Sequence, residues 1–337
     1  MKKPPCALRR FLPDDFWSML LVTYVTVTRL TAAEVQVRNA AEGNKIFAPD
    51  AHLAKLAGDL KFTEGPVWLT QAGGALVFSD IPANELKQWT AKNGLTTFRQ
   101  PSQHANGNTL DQIGRLISCE HSGRRVSVQE KDGAVRTLVD RFAGKKFNSP
   151  NDVVVKSDGT VWFTDPPYGL PQGETKEQDG NYVFRFDPRT QLTTVVAKDF
   201  DMPNGLCFSP DEQKLYIADS GKPHHLRVFE VRPDGTLSGG AVFSVIAPGG
   251  PDGIRCDAQG RIYSSAGDGI HIFDPDGKLI GKILVPESPA NLCFGGADGQ
   301  TLFITARTSL YAIPLLVQGA RWAGKEMDGQ FTPEAKR

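Results

Sequence analysis

Six copies of one short pattern, spaced by roughly 40 to 50 residues, constrain this 337-residue chain more than any other feature. Each copy has a polar start, an apolar strand, a turn containing glycine and a second apolar strand. The second strands are ALVFSD (75–80), RLISCE (115–120), TVWFTD (160–165), KLYIAD (214–219), RIYSSA (261–266) and TLFITA (301–306). Repeats of this length are typical of propeller blades.

Several copies continue into a third strand, as in YVFRFDP (182–188) and LRVFEV (226–231), so each supplies about four short strands. The many turns that this requires agree with 34 glycines and 23 prolines. We therefore predict an all-β fold, a six-bladed β-propeller with a divalent-metal site in its central channel. The segment before Glu64 or the tail after Pro314 would complete the last sheet. A β-sandwich or a β-helix also uses short strands, but neither explains six units of this length.

The N-terminal segment differs in composition from the repeats. Basic residues come first, an apolar run extends from about Phe16 to Val27, and the small residues of TAA follow. We predict a signal peptide over residues 1–33 and a single propeller domain over residues 34–337. The apolar run is shorter than the roughly 20 residues that span a bilayer, so no stable membrane span is expected. The protein is then periplasmic or secreted; without cleavage it would be cytoplasmic.

Charge and motifs exclude several classes of function. The formal net charge is zero and no cluster of lysine and arginine occurs, which argues against a nucleic-acid partner. Cys207, Cys256 and Cys293 occupy similar contexts in successive repeats, which is typical of small buried side chains rather than disulfide partners. GxSxG, HExxH and phosphate-loop motifs do not occur, so serine-hydrolase, zincin and nucleotide chemistry lose support. The sequence leaves the oligomeric state open.

The register of the repeats brings oxygen-bearing side chains to one place. Asn151 lies eight residues before the turn glycine Gly159, and Asp252 lies eight residues before Gly260. The corresponding positions of the other blades are Asn204, Glu64, Asn106 and Ala290. Because the first strand of each blade lines the channel, we expect Glu64, Asn151, Asn204 and Asp252 to converge near one mouth. Each of them alone could be an ordinary turn residue.

Two carboxylates and two amide oxygens form a hard ligand set. Such sets favour calcium, magnesium or manganese over metals that prefer thiolate. Calcium is the preferred candidate because its coordination is flexible and accepts six to eight oxygens. Mg²⁺, Mn²⁺ and Zn²⁺ are the alternatives.

The motifs EGPVW, GNTLD, SPNDVVV, WFTDPPYG, MPNGL, SPD, YIADS and PDGI occur in order between Glu64 and Ile313. In these motifs the chain resembles the gluconolactonase, regucalcin and luciferin-regenerating-enzyme family, particularly its bacterial gluconolactonase branch. The resemblance implies a six-bladed propeller that binds a divalent cation in its channel and hydrolyses sugar lactones. It places the metal ligands on Glu64, Asn151, Asn204 and Asp252, the residues that the register selects, and the general base on Asp252.

For a lactone, the cation would polarise the carbonyl and Asp252 would take a proton as water attacks. Coordination lowers the basicity of a carboxylate, so water activation could instead depend mainly on the metal. We expect Asn108, Glu120, His121 and Asn151 to contact the substrate, with a network of loop residues as the alternative. Residues whose role stays open between site support or pocket wall and plain structure are Asn106, Arg124, Asp165, Tyr168 and Asp219.

The expected activity is hydrolysis of D-glucono-1,5-lactone, or of a related aldonolactone, to the aldonic acid. One alternative is a non-catalytic binding propeller stabilised by calcium, because a fold alone does not fix a function. The other is a metal-dependent esterase or phosphoesterase on the same fold. The polar residues expected at the mouth suit a sugar lactone better than an apolar ester.

Overall fold

The computed structural model describes residues 34–70 and 73–320. The predicted signal peptide, residues 1–33, lies outside them. The described chain begins with strand β1 (Val35–Val37), helix α1 (Ala40–Ile46) and strand β2 (Ala54–Ala57). Asn39 caps the helix, since its side chain accepts a hydrogen bond from the Glu42 N–H at 3.3 Å.

Three antiparallel four-stranded sheets follow in chain order. Blade one consists of β3 (Thr63–Leu69), β4 (Ala75–Asp80), β5 (Glu85–Thr90) and β6 (Gly94–Arg99). Blade two consists of β7 (Ala105–Leu110), β8 (Leu116–Glu120), β9 (Arg125–Gln129) and β10 (Val135–Val139). After the small hairpin of β11 (Arg141–Phe142) and β12 (Lys145–Lys146), blade three consists of β13 (Val153–Val155), β14 (Val161–Asp165), β15 (Tyr182–Asp187) and β16 (Leu192–Ala197).

Three more blades complete the ring. Blade four consists of β17 (Pro203–Phe208), β18 (Lys214–Asp219), β19 (His225–Val231) and β20 (Leu237–Val245). Blade five consists of β21 (Ile254–Cys256), β22 (Ile262–Ala266), β23 (Gly269–Phe273) and β24 (Leu279–Leu284). Blade six takes β25 (Pro289–Gly295), β26 (Thr301–Ala306) and β27 (Ser309–Pro314) from the end of the chain.

The N-terminal segment closes the ring. Strand β2 pairs antiparallel with β27, placing Ala54 opposite Ala312, and so becomes the outer strand of blade six. Strand β1 pairs with β24 as a fifth strand of blade five. The six-bladed β-propeller predicted from the repeats is confirmed, and of the two predicted closing segments the one before Glu64 forms the closure.

The inner two strands of the blades share one register. The third residue of each repeated second strand faces one inner-strand residue, as Val77 faces Val67 and Trp162 faces Val154. The six inner-strand residues at this level, one from each blade, are Val67, Thr109, Val154, Cys207, Arg255 and Cys293. We call them the lower ring. Their equivalence shows that the sequence repeats are structural repeats.

Apolar side chains between neighbouring blades form the core. The Trp162 ring of blade three meets Phe208 of blade four edge to face, with ring centroids 5.5 Å apart. Trp68 of blade one stacks on Phe303 of blade six at 5.2 Å, so the closing interface is packed like the others. Truncating a buried aromatic such as Trp162 to alanine would cost about 3–5 kcal/mol.

The four cysteines of the described residues, Cys119, Cys207, Cys256 and Cys293, are buried free thiols, as the sequence predicted for the last three. In the described ranges, no helix combines the length and the apolar character needed to cross a membrane.

Candidate active site at the upper mouth of the channel

The starts of the six inner strands form a ring of equivalent positions. Three of the strand starts bond the backbone of the next blade: the Gly107 N–H donates to the Asn151 carbonyl at 2.8 Å, and the Gly205 N–H donates to the Asp252 carbonyl at 3.0 Å. The Gly253 N–H repeats this contact toward Ala290 at 2.7 Å. The six residues at these starts, which we call the upper ring, are Glu64, Asn106, Asn151, Asn204, Asp252 and Ala290.

Glycine after an upper-ring residue lets neighbouring strands approach closely. Gly65 has a φ of 47°, and a Cβ there would lie 2.0 Å from the Asn106 carbonyl oxygen. At Gly253 a Cβ would lie 2.2 Å from the Asn291 side-chain oxygen. The close approach brings polar residues that are far apart in sequence into one cluster.

Hydrogen bonds between blades connect the amides of the upper ring. Asn106 Nδ2 donates to Asn151 Oδ1 at 2.6 Å, and Asn151 Nδ2 donates to Asn204 Oδ1 at 2.6 Å. Asn204 Nδ2 then donates to Ser220 Oγ at 2.9 Å. The three asparagines are buried, so their side chains have few alternative orientations.

The two carboxylates of the ring lie in surroundings that disfavour their charged forms. Burial raises the pKa of Glu64 to about 7, and Asp152 contributes; the Gly65 N–H, which donates to Glu64 Oε2 at 2.8 Å, opposes the rise. Burial also raises the pKa of Asp252, reinforced by Glu64 and Asp152 and opposed by hydrogen bonding from Asn204. Among the described residues, neither Glu64 nor Asp252 forms an ion pair; the nearby Arg255 pairs with Asp152.

A divalent cation fits this donor set. Two repelling carboxylates without a cationic partner, beside two buried amide oxygens, are an environment that a positive ion would stabilise. Within residues 34–70 and 73–320, no group of three or more His, Cys, Asp and Glu side chains is arranged to hold a metal. A cation here would therefore depend on the oxygens of Asn151 and Asn204 as much as on Glu64 and Asp252.

Asp152 and Arg255 lie on the inner side of the ring. Asp152 stands where four other blades carry glycine; its side chain is 1% exposed and forms an ion pair with Arg255 Nη1 at 3.4 Å. The same Nη1 donates to the Ile254 carbonyl at 2.7 Å. The pair joins blades three and five across the channel and keeps one positive charge near three carboxylates.

His121 borders the ligand set as a neutral side chain. Its Nε2 lies 3.3 Å from Asn151 Oδ1 and 3.2 Å from Asn106 Nδ2. Burial lowers the pKa of His121 to about 4, and the hydrogen bond with Asn151 only partly opposes this. Of the predicted substrate contacts, His121 and Asn151 are thus brought together at the upper mouth.

Asn108 and Glu120 are fixed by hydrogen bonds to other groups of the protein. Asn108 is buried in blade two; its Nδ2 donates to the Gly65 carbonyl at 2.8 Å, and its Oδ1 accepts from Ser118 Oγ at 2.6 Å. The Glu120 oxygens accept from Ser127 Oγ at 2.6 Å and Arg125 Nε at 2.5 Å. These contacts occupy both side chains within the scaffold, and their role as substrate contacts stays a prediction.

Asp165 and Asp219, at the ends of equivalent second strands, accept hydrogen bonds from nearby backbone N–H groups. Asp165 Oδ2 accepts from the Asn148 N–H at 2.8 Å, and burial raises the pKa of Asp165 to about 7. Asp219 accepts from the N–H groups of Asp201 and Met202, both at 2.9 Å. Asp219 therefore fixes the loop that leads into Asn204.

The opposite end of the channel is different in character. Below the lower ring the channel widens into a cavity of about 640 Å³ with mainly apolar walls. Trp68, Leu110, Phe208 and Phe294 line it, and Arg255 is at its inner end. Its lining contains no constellation of carboxylates like that of the upper ring. We therefore place the candidate site at the upper mouth.

Some residues of this region were not singled out from the sequence. In the sequence, Arg255 and Asn291 are marked by nothing except that they follow upper-ring positions. Ser220 directly follows the strand end YIAD, and only the fold shows that it contacts Asn204. Asp152 is adjacent to Asn151, but its partner Arg255 comes from a different blade.

Comparison with known proteins gives a consistent result. Residues 62–308 match the model of the SMP-30/Gluconolactonase/LRE-like region. A gluconolactonase of Zymomonas mobilis is 37% identical over 280 residues, which cover 74% of this chain and 78% of the relative. A pentonolactonase of Haloferax volcanii is 27% identical over 72% of this chain and 80% of its own length. The solved structure of a gluconolactonase from Xanthomonas campestris superimposes with a TM-score of 0.81 at 35% identity, covering 86% of this chain and 97% of that one.

Proposed function

Because the chain belongs to the SMP-30/Gluconolactonase/LRE-like family, we propose that it is a cation-dependent sugar lactonase acting at the upper mouth. The preferred substrate class is D-glucono-1,5-lactone and related aldonolactones, and the product is the aldonic acid. A gluconolactonase and a pentonolactonase among its relatives support sugar lactones as the class without selecting one member.

One observation supports the proposal: side chains from four different blades are neighbours, since Asn151 Nδ2 donates to Asn204 Oδ1 at 2.6 Å, Asn204 hydrogen-bonds Asp252, and Glu64 raises the pKa of Asp252. Glu64, Asn151, Asn204 and Asp252 would hold the cation, with calcium preferred because all donors are hard oxygens. When bound, such a cation supplies Lewis acidity toward a carbonyl oxygen. The raised pKa values of Glu64 and Asp252 support this assignment, because burial and repulsion between carboxylates disfavour the charged forms, which a bound cation would stabilise.

Asp252 is the residue we assign to proton transfer. The residue as a whole is half-buried, whereas Glu64, Asn151 and Asn204 are almost fully buried, and this difference is the basis of the assignment. Hydrolysis adds the water oxygen to the lactone carbonyl carbon, breaks the ring C–O bond and transfers a water proton to the departing ring oxygen. A carboxylate beside the attacking water can carry that proton between the two oxygens.

Neutral hydrogen-bonding groups beside the ring suit a polyhydroxylated substrate. His121 and Asn106 are uncharged, and each has ring or amide nitrogens near the mouth. They can orient sugar hydroxyls without neutralising the carboxylates. We further propose an exported, periplasmic or secreted location, on the basis of the N-terminal composition.

The test is hydrolysis of D-glucono-1,5-lactone by the purified full-length chain, measured as acid release above the spontaneous rate. The protein is assayed after chelation and after return of Ca²⁺, Mg²⁺, Mn²⁺ or Zn²⁺, with Asp252→Asn as the site variant. Asp276→Asn, at an exposed turn of the same blade, is the matched control.

We expect activity that returns with the cation, is lost in Asp252→Asn and is retained in Asp276→Asn. Full activity in the presence of chelator would reject cation dependence. Folded, cation-loaded protein without activity on a panel of aldonolactones would reject the proposed substrate class, and hydrolysis of simple esters or phosphoesters instead would favour the esterase alternative.

A further inference from the structure

Blade three has an unusually long connection at the upper mouth. Residues 166–181, sixteen in all, join β14 to β15, whereas the same connection has two to five residues in the other five blades. The end of β14 lies beside the upper ring, because the Asn151 N–H donates to the Thr164 carbonyl at 2.8 Å. The long connection therefore starts at the rim of the candidate site. We call residues 166–181 the rim segment.

The first part of the rim segment is fixed against the site. Ser149 Oγ donates to the Pro166 carbonyl at 2.6 Å and accepts from the Gly169 N–H at 2.9 Å. A Cβ at Gly169 would lie 2.0 Å from the His121 ring, so the backbone rests directly on that side chain. Tyr168, between these anchors, has little freedom in its backbone.

Tyr168 extends from blade three toward blade four. It is 46% exposed. Burial raises the pKa of Tyr168 to about 12, and hydrogen bonding with Ser220 and Asn204 opposes the rise. The phenol thus combines an exposed ring with a neutral hydroxyl next to Asn204 of the upper ring.

The second part of the rim segment is held by one buried cation. The Arg124 side chain is only 4% exposed, and its Nη1 forms ion pairs with Glu174 at 2.5 Å and with Glu177 at 3.3 Å. Its Nε donates to the Phe147 carbonyl at 2.7 Å. Gln178 supplies a further anchor, since its Nε2 donates to the Lys146 carbonyl at 3.0 Å. Arg124 belongs to blade two and so ties the rim segment to a second blade.

From these contacts we infer that Tyr168 is a specificity-determining residue that hydrogen-bonds a hydroxyl of the substrate, and that Arg124 is the positioning residue that holds Tyr168 in place. This inference rests on the proposed function. A polyhydroxylated lactone offers partners for the phenol hydroxyl, whereas an unsubstituted lactone does not. The residue would therefore select substrates by their hydroxyl groups without taking part in ring opening.

The experiment compares two six-membered lactones, D-glucono-1,5-lactone and δ-valerolactone, which carries no hydroxyl. For Tyr168→Phe we expect kcat/KM on the sugar lactone to fall about tenfold, chiefly through KM, because one hydrogen bond is lost. On δ-valerolactone we expect a change of less than twofold. Because both substrates are assayed with the same preparation, the ratio does not depend on the folded fraction.

Arg124 is tested with Arg124→Met, and Arg189→Met serves as control, since Arg189 is an exposed arginine of blade three that pairs with Asp187. Arg124→Met should lower kcat/KM on the sugar lactone. If Arg124 acts through Tyr168, the double variant with Tyr168→Phe should have the same kcat/KM as the more impaired single variant. Hydrogen–deuterium exchange should rise in residues 166–181 of Arg124→Met and stay unchanged in Arg189→Met.

Two results would overturn the inference while leaving the proposed function intact. One is an equal loss of kcat/KM on both lactones in Tyr168→Phe, which would mean that Tyr168 has a general structural role. The other is additive losses in the double variant, which would separate Arg124 from Tyr168. If the wild-type protein hydrolysed neither lactone, the proposed function itself would fail first.

Discussion

The two mouths of the channel are built from the same strands but differ in chemistry. Along β17, Asn204 is at the upper ring and Cys207, three residues later, is at the lower ring. The upper ring gathers carboxylates and amides, while the lower ring leads into a cavity of about 640 Å³ with mainly apolar walls. In this molecule the donor groups, rather than the size of the cavity, identify the candidate site.

The largest contrast is expected between substitutions in these two rings. Asn204→Ala removes a predicted ligand, and we expect at least a 100-fold loss of cation-dependent lactonase activity. Cys207→Ala removes a buried thiol from the same strand and should cost about 1 kcal/mol of stability while activity changes less than twofold. Initial rates, together with chemical unfolding, measure both. Similar losses of activity in the two variants would contradict the distinction between the mouths.

Cation binding and stability should be linked through Glu64. Without a cation, Glu64→Gln removes one of the repelling carboxylates and should stabilise the protein by about 1 kcal/mol. With Ca²⁺ at 100 times its Kd, the wild-type protein should gain about 2.7 kcal/mol, and the variant should gain much less. Thermal unfolding with chelator and with Ca²⁺ tests this. An unchanged calcium response in Glu64→Gln would remove that residue from the ligand set.

Glu287, near the start of blade six, contrasts with Glu64. Its carboxylate accepts from the Thr308 N–H at 2.9 Å and from Tyr311 at 2.9 Å. Although burial acts to raise it, hydrogen bonds from Ser309, Thr308 and Tyr311 lower the pKa of Glu287 to about 2. A lowered pKa means that its stabilising contribution is complete above pH 4.5 and is lost as the pH falls toward 2.

We therefore expect Glu287→Gln to destabilise the protein by about 1 kcal/mol at pH 7, after allowance for solvent screening, and by less at pH 3. Urea unfolding at both pH values measures the difference. Glu287→Gln should not alter lactonase activity. A constant destabilisation across this range would show that the hydrogen-bonding shape of the side chain matters rather than its charge.

The smallest effect is expected at the lower mouth. Val154 belongs to the lower ring and is half-buried against the cavity. Val154→Thr keeps the size of the side chain, so we expect less than a twofold change in kcat/KM and no change in the cation response. A clear loss of cation affinity would show that the two mouths are coupled through the channel.

Much of this arrangement could be predicted from the sequence because the repeat fixes the register. The spacing from Asn151 to Gly159 and from Asp252 to Gly260 was enough to place both residues at the same level of the channel. The repeats predicted six blades of about four strands, but they left open whether the segment before Glu64 or the tail after Pro314 would complete the last sheet. That β1 would add a fifth strand to blade five had no comparable signal.

Contacts between blades explain what the sequence did not predict. Asp152 pairs with Arg255, more than a hundred residues away, and no local pattern encodes such a pair. Asn108 and Glu120 were expected to contact the substrate; Ser118 and Arg125 of the same blade donate to their oxygens, and the substrate contact stays a prediction. Polar residues in a propeller can stabilise the scaffold or face the mouth, and only the partners distinguish the two cases.

The central claim is that one divalent cation binds among Glu64, Asn151, Asn204 and Asp252. Anomalous diffraction from crystals of the full-length protein grown with Mn²⁺ would locate the ion directly. The account predicts one strong peak at the upper mouth, within coordination distance of all four side chains. An empty upper mouth, or a fully occupied peak elsewhere in the channel, would contradict it.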